Sequence, residues 1–219
     1  MTSRTWLSGP WRAGAIALVS ISLVSVTACS GGGTPPPGSP SPADSQSPSA
    51  SSTASAVPTP TASYKPADAS GRAQNVPVPE LPEAAKSKSK AGLEAFARYW
   101  FQLLSYGYET GDISRLAPIT SPGCRACESA KAVISGWHAG GRWLAGGKVQ
   151  TPSVSTTFNV APDGNYQVAI QASQQALSYF NADGKLDSTD PKPNDTGNLM
   201  LAIYKNGMWY VNNIQPIAG

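Results

Sequence analysis

The sequence predicts an α+β domain, with helices first and an antiparallel sheet after them, and three observations carry that prediction. Apolar residues between Leu93 and Leu104 recur at helical spacing. After Gly147 the period changes to alternation. Near the C-terminus, Asn206-Gly207 separates two apolar runs, a strong short-range hairpin signal. The stretch from Leu93 to Cys127, LEAFARYWFQLLSYGYETGDISRLAPITSPGCRAC, is the part on which the rest is organised.

What precedes it reads as delivery apparatus. Residues 1–28 have the three parts of an export signal: Arg4 and Arg12, the apolar run Ala13 to Val26, and small residues before Cys29. The run is too short and too rich in serine for a membrane span, which needs about 20 apolar residues. From Ser30 to about Ser63 the chain is Gly, Ser, Thr, Pro and Ala, with Asp44 its only charge. Such a segment buries too little surface to offset its ordering entropy, so residues 29–85 are expected to form a disordered tether. A proline-rich tether of this length reaches on the order of 40 Å or more. A spacer through a crowded wall layer and a glycosylated or partner-binding tract are its two readings. Val76-Pro77-Val78-Pro79 and Leu81-Pro82 are extended, because each proline pushes its predecessor out of the helical region, and they are placed along the domain surface.

The folded domain is expected over residues 86–219. Leu93, Phe96, Ala97, Trp100, Leu103 and Leu104 make one wide apolar face of a first helix, with Tyr99, Phe101, Tyr106 and Tyr108 on its flanks. An aromatic stripe of this kind is either core or the lining of a ligand site. Gly111 supplies the stop, and Asp112 is placed to cap a short second helix, Ile113 to Ala117. Asp112 is also the first residue a search for a catalytic base would choose; capping explains it better. A third helix follows over Glu128 to Gly140, with Ala130, Val133, Ile134 and Trp137 on one face.

Cys124 and Cys127 are the two cysteines left if Cys29 is modified, and parity in an oxidising compartment favours a structural disulfide. A redox pair normally follows a strand, whereas here helices precede it; a zinc site would find only His138 as a further ligand. His138, the single histidine, sits at a helix C-terminus, where a positive charge is favoured, and reads as a partly exposed cap or hydrogen-bonding residue. No nucleophile with an acidic partner pairs with it.

In the second half, Val154, Thr156, Phe158 and Val160 form one strand face and Tyr166, Val168, Ile170 and Ala172 the next, with Asp163-Gly164 between them. Ala176 to Phe180 makes a third strand. A polar insertion follows, Asn181 to Asn198, whose Asp183, Asp187, Asp190 and Asp195 do not match the alternating ligands and final Glu of a calcium loop. Leu199 to Tyr204 and Met208 to Ile214 form the terminal hairpin.

Three helices followed by an antiparallel meander resemble the cone-shaped fold of the nuclear transport factor 2-like and ketosteroid-isomerase-like superfamily. Val26-Thr27-Ala28-Cys29 resembles a bacterial lipobox, which implies lipidation at Cys29; ordinary secretion is the other outcome. Together with the tether, AFARYWFQLLSYGYETGD and PGCRAC, it resembles a family of actinobacterial lipoproteins carrying an uncharacterised domain, over about residues 80–219 and most specifically Phe96 to Cys127. The resemblance implies a lipid-anchored envelope protein on the extracytoplasmic face of the cell membrane, with a curved sheet wrapped on three helices. Acyl chains would supply the anchor, each buried methylene contributing about 0.8 kcal/mol. The resemblance brings no activity. In the isomerase branch an Asp base and a Tyr with a protonated acid do the chemistry, but no motif maps those roles here, and a shared fold does not license a shared activity.

Charge narrows the partners. Of 16 basic residues, Arg4 and Arg12 lie in the leader, leaving 14 against 13 acidic. That balance gives no footprint for nucleic acid, since Lys86, Lys88 and Lys90 form the only basic cluster. No catalytic, cofactor-binding or metal-binding constellation stands out. The leading expectation is a non-enzymatic binding or assembly module, membrane-attached and facing an envelope protein. The alternative is a small-molecule carrier or isomerase-like enzyme with a cavity between the first helix and the sheet, lined by Tyr99, Trp100, Tyr166 and Trp209.

Overall fold

A computed structural model describes residues 62–217. The leader, Cys29 and the Gly/Ser/Pro segment up to residue 61 lie outside the described residues. Ser89 opens α1 (Lys90–Thr110) by accepting the amide of Gly92 on its hydroxyl, and Gly111 closes it in the left-handed conformation, φ 82°. The predicted face is buried: Leu93, Ala97, Trp100 and Leu104 are fully enclosed, and Tyr99, Phe101 and Tyr108 are enclosed too, so α1 is covered on more than one side.

The expectation of three N-terminal helices is corrected to two. Ile113 to Ala117 forms a turn, not a helix. Asp112 accepts the Ser114 amide at 2.8 Å as an Asx turn, and a 3₁₀ turn, Ala117–Ile119, carries Pro118. Five residues ahead of a proline cannot offset the cost of nucleating an α-helix. The second α-helix, α2 (Arg125–His138), begins at Cys124, whose sulfur accepts the Cys127 amide.

Among the described residues there are seven strands, β1 (Trp143–Gly146), β2 (Val149–Ser155), β3 (Tyr166–Gln174), β4 (Leu177–Phe180), β5 (Leu186–Asp190), β6 (Thr196–Lys205) and β7 (Met208–Pro216). They form two antiparallel sheets, ordered β1-β4-β5 and β2-β3-β6-β7, where a single curved sheet was expected. The corner between them is made by Gly146 and Gly147, both at positive φ, opposite Ala176. A Cβ on Gly146 would lie 2.3 Å from the Ala176 carbonyl oxygen, so only glycine lets the two chains turn that corner together. β2 also ends sooner than its alternation implies, at Ser155, because Phe158 takes φ 59° and leaves the ladder. The terminal hairpin turns at Asn206 and Gly207, φ 52° and 79°, as their sequence demands.

Both edges of the larger sheet are met by other parts of the chain, β2 at several points and β7 at Val211. Along β2, α1 supplies side chains to the outer backbone groups: Glu94 accepts the Thr156 amide, Arg98 donates to the Thr151 carbonyl, and Ser105 receives the Val149 amide. Along β7, Thr120 forms a parallel bridge with Val211. These contacts occupy some of the groups that an open edge would offer to another chain.

Residues 62–85, expected within the tether, are laid on the domain as an arm. Lys65 to Gln74 make a small hairpin, Trp143 Nε1 donates to the Asp68 carbonyl at 2.9 Å, and Arg115 reaches the Pro79 carbonyl. A 3₁₀ turn, Glu83–Lys86, leads into α1, and the Lys86 and Ser87 carbonyls accept Tyr204 Oη and Trp209 Nε1. The reason is local chemistry: from Tyr64 onward the segment gains a tyrosine, charges and apolar residues that the Ser/Pro tract lacks.

Candidate functional site

The interior under α1 is the first place to look, because Tyr99, Trp100, Tyr166 and Trp209 were expected to line any cavity there. All four are buried, at 7%, 0%, 7% and 1% exposure. Trp100 meets Phe101 edge-on and donates its indole hydrogen to Thr120 Oγ1 at 2.9 Å. Trp209 stands at 90° to Tyr166, with Tyr204 and Phe158 also against it. The two indoles therefore sit in one core, each within its own set of neighbours. Indole hydrogens with good acceptors and edge-to-face rings are what a packed aromatic core requires.

Cys124 and Cys127 are joined as a disulfide, both enclosed in the same core, with Cα atoms 5.2 Å apart. Asp112, the candidate base, has its carboxyl pKa lowered by the Ser114 hydroxyl and amide and is occupied as a turn former. Tyr108, buried beside Gln174, has its phenol pushed up to about 12 by desolvation and stays neutral. The aspartates of the insertion do not converge. Asp183 and Asp195 pair with Lys185 and Lys192, while Asp190 accepts the Tyr179 hydroxyl.

His138 is half-buried and hydrogen-bonded, as expected of it, with one feature the sequence did not show. It ends α2 as predicted and its Nε2 lies 3.0 Å from the Tyr108 carbonyl, but its Nδ1 is buried without a hydrogen-bond partner. Desolvation, with the Arg72 charge adding to it, holds its pKa below the ordinary 6.5. The half-buried, hydrogen-bonded position expected at this helix end is present, but desolvation there disfavours the positive charge that the helix terminus would favour.

A concave site lies on the other side of α1. Gln102, Ser105, Tyr106 and Glu109, spaced i, i+3, i+4 and i+7, form one stripe of the helix and the floor of a groove of about 430 Å³. Tyr64 and Val76 to Pro79 of the arm make one wall; Lys148 and Val149 make the other. Tyr64 hydrogen-bonds Glu109, and burial, then that bond, push its phenol up to about 12. Two large apolar side chains on this rim face solvent, Tyr64 at 47% and Val78 at 42% exposure. Neither Glu109 nor Lys148 is in an ion pair with a described residue. The groove is missing from the sequence reading; the legible signal was Val76-Pro77-Val78-Pro79 beside the leftover flank residue Tyr106.

Residues 62–215 match a family described as a family of unknown function, DUF6318. No curated protein matches the chain. Among solved structures, the intermembrane space region of the chloroplast protein ARC6 is similar at 12% identity over 60% of this chain and 98% of that one, with a TM-score of 0.41. Aln2 from a Streptomyces species is similar at 11% identity over 57% and 87%, with a TM-score of 0.34. An uncharacterised protein with a cystatin-like fold from Caulobacter vibrioides is similar at 12% identity over 56% and 89%, with a TM-score of 0.31.

Proposed function

The chain belongs to the DUF6318 family, whose function is unknown, and from its own residues we propose that it is a non-enzymatic binding module of the cell envelope. In this reading Cys29 carries a lipid anchor on the outer face of an actinobacterial membrane, residues 30–61 are the spacer, and the α+β body is a nuclear transport factor 2-like cone. The groove between the arm and α1 takes an extended, partly apolar segment of an envelope protein.

The observation that carries the reading is the groove itself. Its floor runs from Gln102 to Glu109 of α1, about 10 Å at about 1.5 Å per residue, the length of about three residues of extended chain. One wall, Val76 to Pro79, is already such a chain lying beside that stripe. Glu109 and Lys148 add one charge of each sign, which suits a segment carrying both. Exposed Tyr64 and Val78 supply the apolar contact. The carrier or isomerase alternative requires room among Tyr99, Trp100, Tyr166 and Trp209, and their burial weighs against it.

Two experiments test the proposal. A photo-crosslinking residue at Gln102, on the groove floor, is expected to capture one envelope protein through an extended peptide, while the same residue at Gln167, on the outer side of β3, captures none. The adduct should disappear in Tyr106→Ala. Equal capture from both positions, or an adduct indifferent to Tyr106→Ala, would overturn the groove. For the anchor, Cys29→Ala should lose fatty-acid label and membrane fractionation; unchanged retention at the membrane would sink it.

A further inference from the structure

The arm that walls the groove is seated on a histidine. Its hairpin is closed by backbone pairs between Lys65 and Gln74 and between Asp68 and Gly71. Arg72 of that hairpin donates to the carbonyls of His138 and Arg142, at 3.3 and 2.9 Å. These lie where α2 ends and its dipole favours a cation. The His138 ring is pressed against the end of α1: a Cβ on Gly111 would lie 2.6 Å from His138 Cγ. Because a carbonyl can only accept, the contact with Tyr108 requires the hydrogen on Nε2, which leaves the Nδ1 lone pair buried and without a partner.

We propose that His138 is a proton-sensitive seat for the arm: a proton on Nδ1 loosens the Lys65–Gln74 hairpin from the end of α2 and so moves one wall of the groove. The added N–H meets no acceptor, and the added charge stands beside Arg72. The other ionisable groups on the surrounding elements offer no compensation. Glu109 holds the Tyr64 hydroxyl, Asp112 holds Ser114, Asp68 holds Ser70, and Asp183 pairs with Lys185. Arg142 is itself cationic, and the charge that acts on the ring is that of Arg72. The hairpin yields before the helices do, because Tyr108 and Ile134 of α1 and α2 are core residues whereas Arg72 is exposed.

Closing the arm brings the Arg72 cation beside the ring, and that charge depresses the histidine pKa. The closed state is therefore favoured fully above the ordinary value of 6.5 and loses that advantage as pH falls through the depressed one. Each pKa unit by which closure lowers His138 raises the open-to-closed ratio about tenfold at full protonation. The effect on ligand capture rests on the groove reading above; the seat itself does not.

The test follows the full chain by NMR from pH 7.5 to 5, observing the His138 ring, the Trp143 indole N–H that bonds Asp68, and the hairpin amides. The indole and amide signals are expected to move with the same midpoint as His138, below 6.5. In His138→Gln they should stay fixed. In Arg72→Gln, which keeps the histidine, its midpoint should rise toward 6.5 while the hairpin is loosened throughout; this second variant decides the matter if His138→Gln does not fold. Arm signals that ignore the histidine titration, or move identically in His138→Gln, would overturn the seat. A responsive arm with no crosslink at Gln102 would instead retire the groove reading and leave the seat standing.

Discussion

The two sides of α1 are built to different ends. On the inner side, Leu93, Phe96, Trp100 and Leu104 are enclosed, and the buried indole hydrogens of Trp100 and Trp209 find acceptors 20 and 122 residues away in the chain. On the outer side, the stripe from Gln102 to Glu109 is walled by an extended arm, its rim exposes Tyr64 and Val78, and its two charges lack ion-pair partners among the described residues. A surface whose needs are met internally specifies the fold. A surface whose needs are left open is where the molecule can meet another.

The largest expected effect breaks the inner side. Trp100→Ala removes a fully enclosed ring and leaves a cavity, and should lower stability by about 3 to 5 kcal/mol in a denaturant titration; a near-neutral result would mean the ring already faces open space. Opening the enclosed disulfide, as Cys124→Ser with Cys127→Ser, should cost about 2 kcal/mol in the chain-entropy model, leaving a folded protein. Strong insulin reduction by the wild type would recast the pair as redox-active. Trp209→Phe keeps most of the ring but leaves the Ser87 carbonyl without its donor, a loss of about 1 kcal/mol readable as a lower midpoint. Val78→Asp lies at the small end, within about 0.5 kcal/mol, because the side chain is exposed and touches the outer side only.

The inner side was legible in the sequence and the outer side was not, for a physical reason. Core faces repeat: the 3.6-residue period from Leu93 to Leu104, the glycine at 111 and the Asn206-Gly207 turn each carry a local signal that the packing then obeys. The arm's local signal, its alternating prolines, shows an extended chain along the surface but not where it is fastened. Its attachment consists of single bonds between residues far apart, Trp143 to Asp68 and Arg72 to His138, and no window of sequence contains both partners. β1 and β5 escaped for related reasons. Trp143 to Gly146 is four residues without alternation, and Leu186 to Asp190 is almost wholly exposed, so neither shows an apolar face. The short second helix failed the other way, since a promising local pattern from Ile113 to Ala117 was outweighed by its length and by Pro118. His138 showed its position but not its packing, because burial against Gly111 and Tyr108 requires the ends of α1 and α2 to meet.

The claim that recognition lies outside and stability inside is tested most directly by measuring both quantities on one variant. Val78→Asp, carrying the crosslinking residue at Gln102, should unfold at the wild-type denaturant midpoint and lose the captured envelope protein. Capture that persists with the aspartate in place would contradict the account and return attention to the aromatic interior.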